Sequence, residues 1–146
     1  MEKEEKYSKL LIEAGLFFYG TTKGSFILPA HGYALWQNIQ NALDSKFSQH
    51  GVQNVLLPTL VPLELLEKEK KHIAGFSPEC FYVARVGEKK IESPLVLRPT
   101  SEVVFYDWYR QILHSYQQLP FLFNQWCSVF RAEKNTNPFF RNTEFL

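Results

Sequence analysis

The chain has 146 residues, 45% hydrophobic and 21% charged, which excludes the disordered and fibrous classes. That length suits one domain, able to bury about two thirds of the surface its unfolded chain exposes. Sixteen Lys and Arg against 15 Asp and Glu leave a net charge of +1, too little to hold nucleic acid by bulk charge, though local phosphate sites stay open.

Aromatic residues reach 16% of the chain, which favours a strand-rich core or a cleft lined with rings. Cys80 and Cys127 stand in unrelated contexts, with no Cys-x-x-Cys pair and no zinc-like Cys/His spacing. We read them as buried free thiols of a reducing cytosol, the alternative being a disulfide, and expect no metal site. The first seven residues mix acid and base, unlike a signal peptide, and no apolar stretch approaches the ~18 residues of a membrane span. A soluble cytoplasmic domain is expected.

In chain order, Leu10, Leu11, Ala14 and Phe18 predict a helix over about 4–18, broken between Gly20 and Gly24. Residues 24–29 read as a short strand ended by Pro29. Leu35, Trp36, Ile39, Ala42, Leu43 and Phe47 then make residues 32–50 a long amphipathic helix with Gly51 as its stop. A strand over 52–58, closed by Pro58, and a short charged helix over 64–71 follow. Residues 80–86 and 90–97 predict two strands about a turn at Gly87-Glu88. Residues 101–116 predict a helix, and 121–133 and 139–146 a final pair of strands around Lys134–Pro138. Helices and strands do not alternate strictly and hairpins recur, so the fold class expected is α+β, an antiparallel sheet flanked by helices. The chain stops at Glu144-Phe-Leu146 within a predicted strand, which points to a fragment with an open sheet edge.

The last hairpin carries the first candidate site. A five-residue loop, Lys134–Pro138, sets Glu133 opposite Phe139 and Arg131 opposite Arg141, with Phe145 further along the same face. Two opposed guanidiniums repel unless an anion lies between them, and Arg forks bind phosphate or carboxylate bidentately. Glu133 can accept from an amino group and Phe145 can stack, which together suit a nucleotide. The alternative is a solvated hairpin face with a diagonal Glu133–Arg141 ion pair. The second candidate is Leu97-Arg-Pro-Thr-Ser-Glu102, joining strand to helix. Thr100 is either the helix cap, with Glu102 in the first turn, or one of two acceptors for a small cationic amine. His31, His50, His72 and His114 read as packing or surface residues. The Glu67–His72 charge run reads as a solvated helix face, with RNA contact as the alternative.

Taken together, these motifs resemble the prolyl-tRNA synthetase family of the class II aminoacyl-tRNA synthetases, over essentially the whole chain and as the N-terminal part of the catalytic domain. Residues 32–58, a long helix and a strand ending in Pro58, look like motif 1, which builds the family's dimer interface. Lys71-His-Ile-Ala-Gly-Phe-Ser-Pro-Glu79 resembles the segment before the proline pocket. Thr100-Ser-Glu102 matches the Thr-x-Glu motif, and Phe130-Arg-Ala-Glu133, Arg141 and Glu144-Phe145 match motif 2. Thr-x-Glu is shared with seryl enzymes, and threonyl enzymes carry a zinc-binding Cys in the region of Glu102. The combination with the 71–79 segment and the Pro-Phe-Phe-Arg loop singles out proline.

The resemblance implies ATP-dependent activation of proline to prolyl-adenylate, then transfer to the 3′ end of tRNA(Pro), in a cytoplasmic homodimer formed through motif 1. By resemblance Arg131 bridges the α-phosphate and the attacking carboxylate, Glu133 reads the adenine amino group, Arg141 holds the distal phosphates and Phe145 stacks on adenine. Thr100 and Glu102 receive proline's secondary ammonium, while Phe81 and Phe139 are candidates for the apolar wall. ATP is expected as substrate, with Mg2+ held by residues outside this chain. The family continues beyond residue 146 with a Gly-His-Thr segment, motif 3 and an anticodon-binding domain, so the isolated chain is expected to be poorly stable and inactive. The competing functions are a non-catalytic synthetase-like binding module and a seryl or threonyl enzyme of the same class.

Overall fold

The computed structural model describes residues 2–70 and 79–146. The described elements run α1 (Glu2–Glu13), β1 (Phe18–Tyr19), β2 (Phe26–Ile27), α2 (Ala30–Gln49), β3 (Gln53–Asn54), β4 (Leu60–Pro62) and α3 (Leu63–Lys70). There follow β5 (Tyr82–Val86), β6 (Lys89–Leu97), α4 (Glu102–Ile112), a 3-10 turn (Tyr116–Gln118), β7 (Phe123–Asn124), β8 (Val129–Phe130) and β9 (Glu144–Phe145). The strand pairs β1–β2, β4–β6, β5–β6 and β8–β9 are all antiparallel, as α+β requires. The chain forms two compact units, Met1–Gln53 with Glu133–Thr143, and Asn54–Ala132 with Glu144–Leu146.

In the first unit, α1 ends at Glu13, before Gly15 at φ +65°, so Phe17 and Phe18 lie beyond the helix predicted to contain Phe18. Phe17 is 1% exposed and meets Tyr19, Phe26 and Phe139 edge-on, at centroid separations of 5.3, 5.5 and 6.4 Å. The long helix is present as α2, and Gly51 follows it at φ +78° as the expected stop. Gly32 near its start is buried, and a Cβ there would lie 1.9 Å from the Leu16 carbonyl oxygen.

In the second unit, β6 is the centre of a three-stranded sheet ordered β4-β6-β5. Val61 pairs with Val96 and Val83 with Leu95, with an irregularity between Val83 and Arg85. The predicted hairpin about Gly87 is therefore present, and Gly87 takes φ +59° as the turn demands. β4 is a strand the sequence reading missed. Pro62 sits in it because an edge strand can forgo a donor. Leu57, Val61, Leu66, Val96, Val103 and Val104 form the core, with Trp108 and Phe105 packed against it.

Four expectations are corrected. The strand over 52–58 shrinks to two residues, and that over 121–133 to the short β7 and β8 with irregular backbone between. The helix over 101–116 ends at Ile112, and Ser115 opens a separate 3-10 turn by accepting from Gln117 N. Cys80 and Cys127 are free thiols, but both are half-buried rather than buried. The charge-run helix is α3, while Lys71 and His72 lie outside the described residues, as does most of the Lys71–Glu79 segment. His50 is exposed, with Nδ1 2.8 Å from the Lys46 carbonyl oxygen. No helix among the described residues is long and apolar enough to cross a membrane.

Candidate active site

In the second unit the site is built where β6 gives way to α4. Val96 and Pro99 are fully buried, which fixes the path of the chain and leaves Thr100 half-buried just beyond. Glu102 is the first residue of α4 and is exposed, so its carboxylate sits at the positive end of the helix, open to a ligand. The capping expectation is corrected here. Ser101, not Thr100, occupies the cap, and no side chain caps the helix. The Ser101 hydroxyl instead lies 3.6 Å from Cys127 Sγ, and Thr100 is not used as the cap.

Arg131 follows β8. Its Nε donates to the Pro99 carbonyl oxygen at 3.0 Å, one residue from Thr100. Its guanidinium carbon lies 5.6 Å from the centre of the Phe145 ring, within cation–π range. Phe145 is carried by β9, opposite Val129 of β8. The structure thus brings Arg131, Phe145 and the Thr100–Glu102 segment together in one unit. A cation, a ring, a hydroxyl and a carboxylate can serve a zwitterion and a phosphate at once.

Glu133 and Arg141 belong to the first unit. Arg141 Nη1 lies 3.3 Å from Glu133 Oε2, the ion pair that the sequence offered as the alternative to a phosphate site. The Arg141 side chain is 66% exposed, so the pair is cheap to open. The segment between is a turn in its own right: Asn137 N donates to Arg141 O and Arg141 N to Asn137 O, each at 2.8 Å. Phe139 lies within that turn at φ +64°, a left-handed conformation rare for a bulky residue. Its ring packs on Phe17, so it serves the aromatic core of this unit. The turn is anchored by Thr143, whose N and Oγ1 both donate to Gly24 O, at 3.1 and 3.0 Å. Arg141 also lines a groove of about 1130 Å³ whose wall includes Lys9, Lys23 and Lys134 alongside Glu4, Glu5 and Glu13.

The predicted register is also corrected. A Lys134–Pro138 loop sets Phe130 opposite Asn142, whereas its partner is Glu144, two residues further on. Arg131 and Arg141 are therefore not the directly opposed pair of the ladder. The cause is local, since Arg141 pairs its own main chain with Asn137 inside the turn, which lengthens the connection. Sequence reasoning passed over Arg98 altogether. It is 5% exposed and bonds to main-chain carbonyls on either side, and the only signal was a charged residue inside an apolar strand end.

Residues 83–146 match the family model of the tRNA synthetase class II core domain (G, H, P, S and T). The chain is 46% identical over 139 residues to a proline–tRNA ligase of Ureaplasma urealyticum, covering 95% of the chain and 29% of that protein. It is 49% identical over 140 residues to a proline–tRNA ligase of Mesoplasma florum, covering 96% of the chain and 30% of that protein. Among solved structures it resembles prolyl-tRNA synthetase from Cryptosporidium parvum complexed with halofuginone and AMPPNP, at 38% identity and a TM-score of 0.89, over 98% of this chain and 30% of that one. The same organism's enzyme complexed with L-proline and AMP matches at 33% identity and a TM-score of 0.86, over 98% of this chain and 28% of that one. The chain thus spans about three tenths of the length of these relatives.

Proposed function

Because the chain belongs to the prolyl-tRNA synthetases of class II, we propose that its protein is a proline–tRNA ligase, activating proline with ATP and passing the prolyl group to tRNA(Pro). The observation that carries this reading is the bond from Arg131 to the carbonyl of Pro99, which ties the phosphate-binding candidate to the Thr-x-Glu segment. The ligands named for the Cryptosporidium enzyme, L-proline with AMP and AMPPNP, are of the chemistry these residues suit.

In the proposed first step a carboxylate oxygen of proline attacks the α-phosphorus of ATP. The new P–O bond forms as the bond to the bridging oxygen breaks, and pyrophosphate leaves with that electron pair. No protein nucleophile is needed, so the residues position groups and neutralise charge. Arg131 holds the carboxylate and the α-phosphate, two anions that would otherwise repel. Glu102 supplies the countercharge of the secondary ammonium and Thr100 its second acceptor. Phe145 stacks on adenine, Glu133 accepts from the adenine amino group and Arg141 binds the distal phosphates. The Glu133–Arg141 pair seen here must then open, which an exposed pair does at little cost. Mg2+ is expected to be held by residues outside this chain, and no step is assigned to it.

The proposed organisation places motif 1 at about 32–58, Thr-x-Glu at 100–102 and motif 2 at about 130–145. Leu35, Ile39 and Leu43, exposed at 48, 54 and 40%, form a stripe along α2 that suits a homodimer through motif 1. A cytoplasmic enzyme is the corresponding location. The deciding experiment is ATP–pyrophosphate exchange by the complete protein with proline, serine and threonine in turn. Exchange dependent on proline is expected. Exchange driven by serine or threonine would reassign the substrate, and none with any of the three would favour a binding module.

A further inference from the structure

Arg98 is a charged side chain with 5% exposure, in the middle of the apolar path from β6 to α4. Among the described residues its side-chain partners are main-chain carbonyls rather than carboxylates. Nε donates to Ser128 O at 2.9 Å and Nη1 to Leu57 O at 2.7 Å. Its own main chain is used as well, Arg98 N donating to Thr59 O and Phe130 N to Arg98 O, both at 2.9 Å. One residue therefore touches the end of the motif 1 stretch, the strand leading to Arg131 and the segment leading to Thr100 and Glu102.

Residues 98–101 and 127–131 are in fact laced together. Besides the Arg98 bonds to Ser128 and Phe130, Arg131 Nε reaches Pro99 O at 3.0 Å and the Ser101 hydroxyl meets Cys127 Sγ at 3.6 Å. A buried cation is weak support for stability, because its desolvation offsets much of what its bonds return. A guanidinium does have one property an apolar residue lacks. Its donors lie in one rigid plane, so bonds from Nε and Nη1 fix the angle between the two carbonyls they reach.

We propose that Arg98 is a positioning residue for amino-acid activation: by bonding Ser128 and Leu57 it sets the Thr100–Glu102 segment in register with Arg131, so that ammonium and carboxylate of one substrate are held together. The inference rests on the proline-activating reading of that site. Arg98 itself contacts no substrate in this scheme. It acts through where its neighbours stand, and a displacement of about an ångström is enough to slow a reaction substantially.

The test is ATP–pyrophosphate exchange by the complete protein and its Arg98→Lys and Arg98→Met variants, with melting temperature measured on the same samples. Lysine keeps the charge and loses the planar fork. Arg98→Lys is expected to raise the KM for proline about tenfold and to lower kcat, with the KM for ATP within about twofold of wild type. Arg98→Met is expected to be worse in the same parameters. Should it fail to fold, Arg98→Lys decides alone. In the double variant Arg98→Lys/Glu102→Gln the KM effects should combine to less than their product, because both act on one ammonium site. A residue that only supports the fold would lower the melting temperature and the fraction of active enzyme while leaving proline KM unchanged, and that result would overturn the proposal. Wild-type protein without proline-dependent exchange would overturn the functional reading together with this inference, whereas normal wild-type exchange with a silent Arg98→Lys overturns this inference alone.

Discussion

Arg131 makes two kinds of contact at once, a hydrogen bond through Nε to Pro99 O and a face-on approach to the Phe145 ring. The first fixes its base beside the Thr100–Glu102 segment and the second sets its guanidinium against a ring. If it neutralises the carboxylate and α-phosphate in the transition state, Arg131→Ala should cost about 3–5 kcal/mol, roughly 10²–10⁴ in exchange rate. Exchange within about tenfold of wild type would remove it from the chemistry. Glu102 is exposed at the start of α4, so Glu102→Gln keeps shape and removes only charge. A lost charge-assisted bond to ammonium should raise proline KM about 10–100-fold while ATP KM holds steady. Equal losses for both ligands would make Glu102 a structural residue of the helix end. These residues could be singled out because Arg and Glu at fixed spacings beside rings form a visible pattern, though spacing alone equally allowed a solvated ion pair and a helix cap, and the roles proposed for them come from the family resemblance. Arg98 and the Ser101 cap were not, because a buried cation bonded only to carbonyls leaves no pattern in side-chain types, and Thr and Ser are equally good capping residues on paper.

Among the elements, α2 and the β5–β6 hairpin were readable for opposite reasons. The helix has a 3.6-residue apolar rhythm sustained over 20 residues, and the hairpin has a Gly at the one position needing positive φ. The last hairpin had neither. Its register followed from an assumed loop length, and the Asn137–Arg141 turn inside the connection could not be seen from composition. Residues 121–133 alternate well enough to suggest a strand, yet Phe121 and Phe123 spend their rings on Tyr109 and Trp108 of α4. Packing against the helix then decides the local backbone. Gly32 offers an element-level test. In an ordinary helix Gly→Ala stabilises by about 1 kcal/mol. Here a Cβ would stand 1.9 Å from Leu16 O and 2.9 Å from Leu16 C, both backbone atoms that cannot step aside. Gly32→Ala should therefore destabilise by about 1–3 kcal/mol, seen as a lower urea midpoint at unchanged slope. A midpoint equal to or above wild type would mean that α2 does not need its close approach to Leu16.

For the molecule as a whole, the composition implied a core large enough for one domain, whereas the chain packs as two units, each with its own apolar cluster. What neither cluster absorbs is the stripe Leu35, Ile39 and Leu43, placed four residues apart on α2. Residues at that spacing share one helix face, so the half-exposed side chains form a continuous surface rather than scattered leftovers. A second copy of this chain is the occupant proposed for it, and a two-fold interface presents each residue twice. Burying the remaining exposed half of an aliphatic side chain contributes about 1–1.5 kcal/mol, hence about 2–3 kcal/mol per dimer for Ile39. Ile39→Asp forfeits that and brings a charge from each copy into the seam. The dimer should weaken by at least about 30- to 150-fold, and sedimentation velocity at micromolar concentration should move from the dimer toward the monomer. Circular dichroism of Ile39→Asp should match wild type, since the position is 54% exposed and supports no core of its own. A wild-type monomer, or an Ile39→Asp dimer of undiminished affinity, would place the apolar face of α2 outside the interface and leave motif 1 without the role proposed for it.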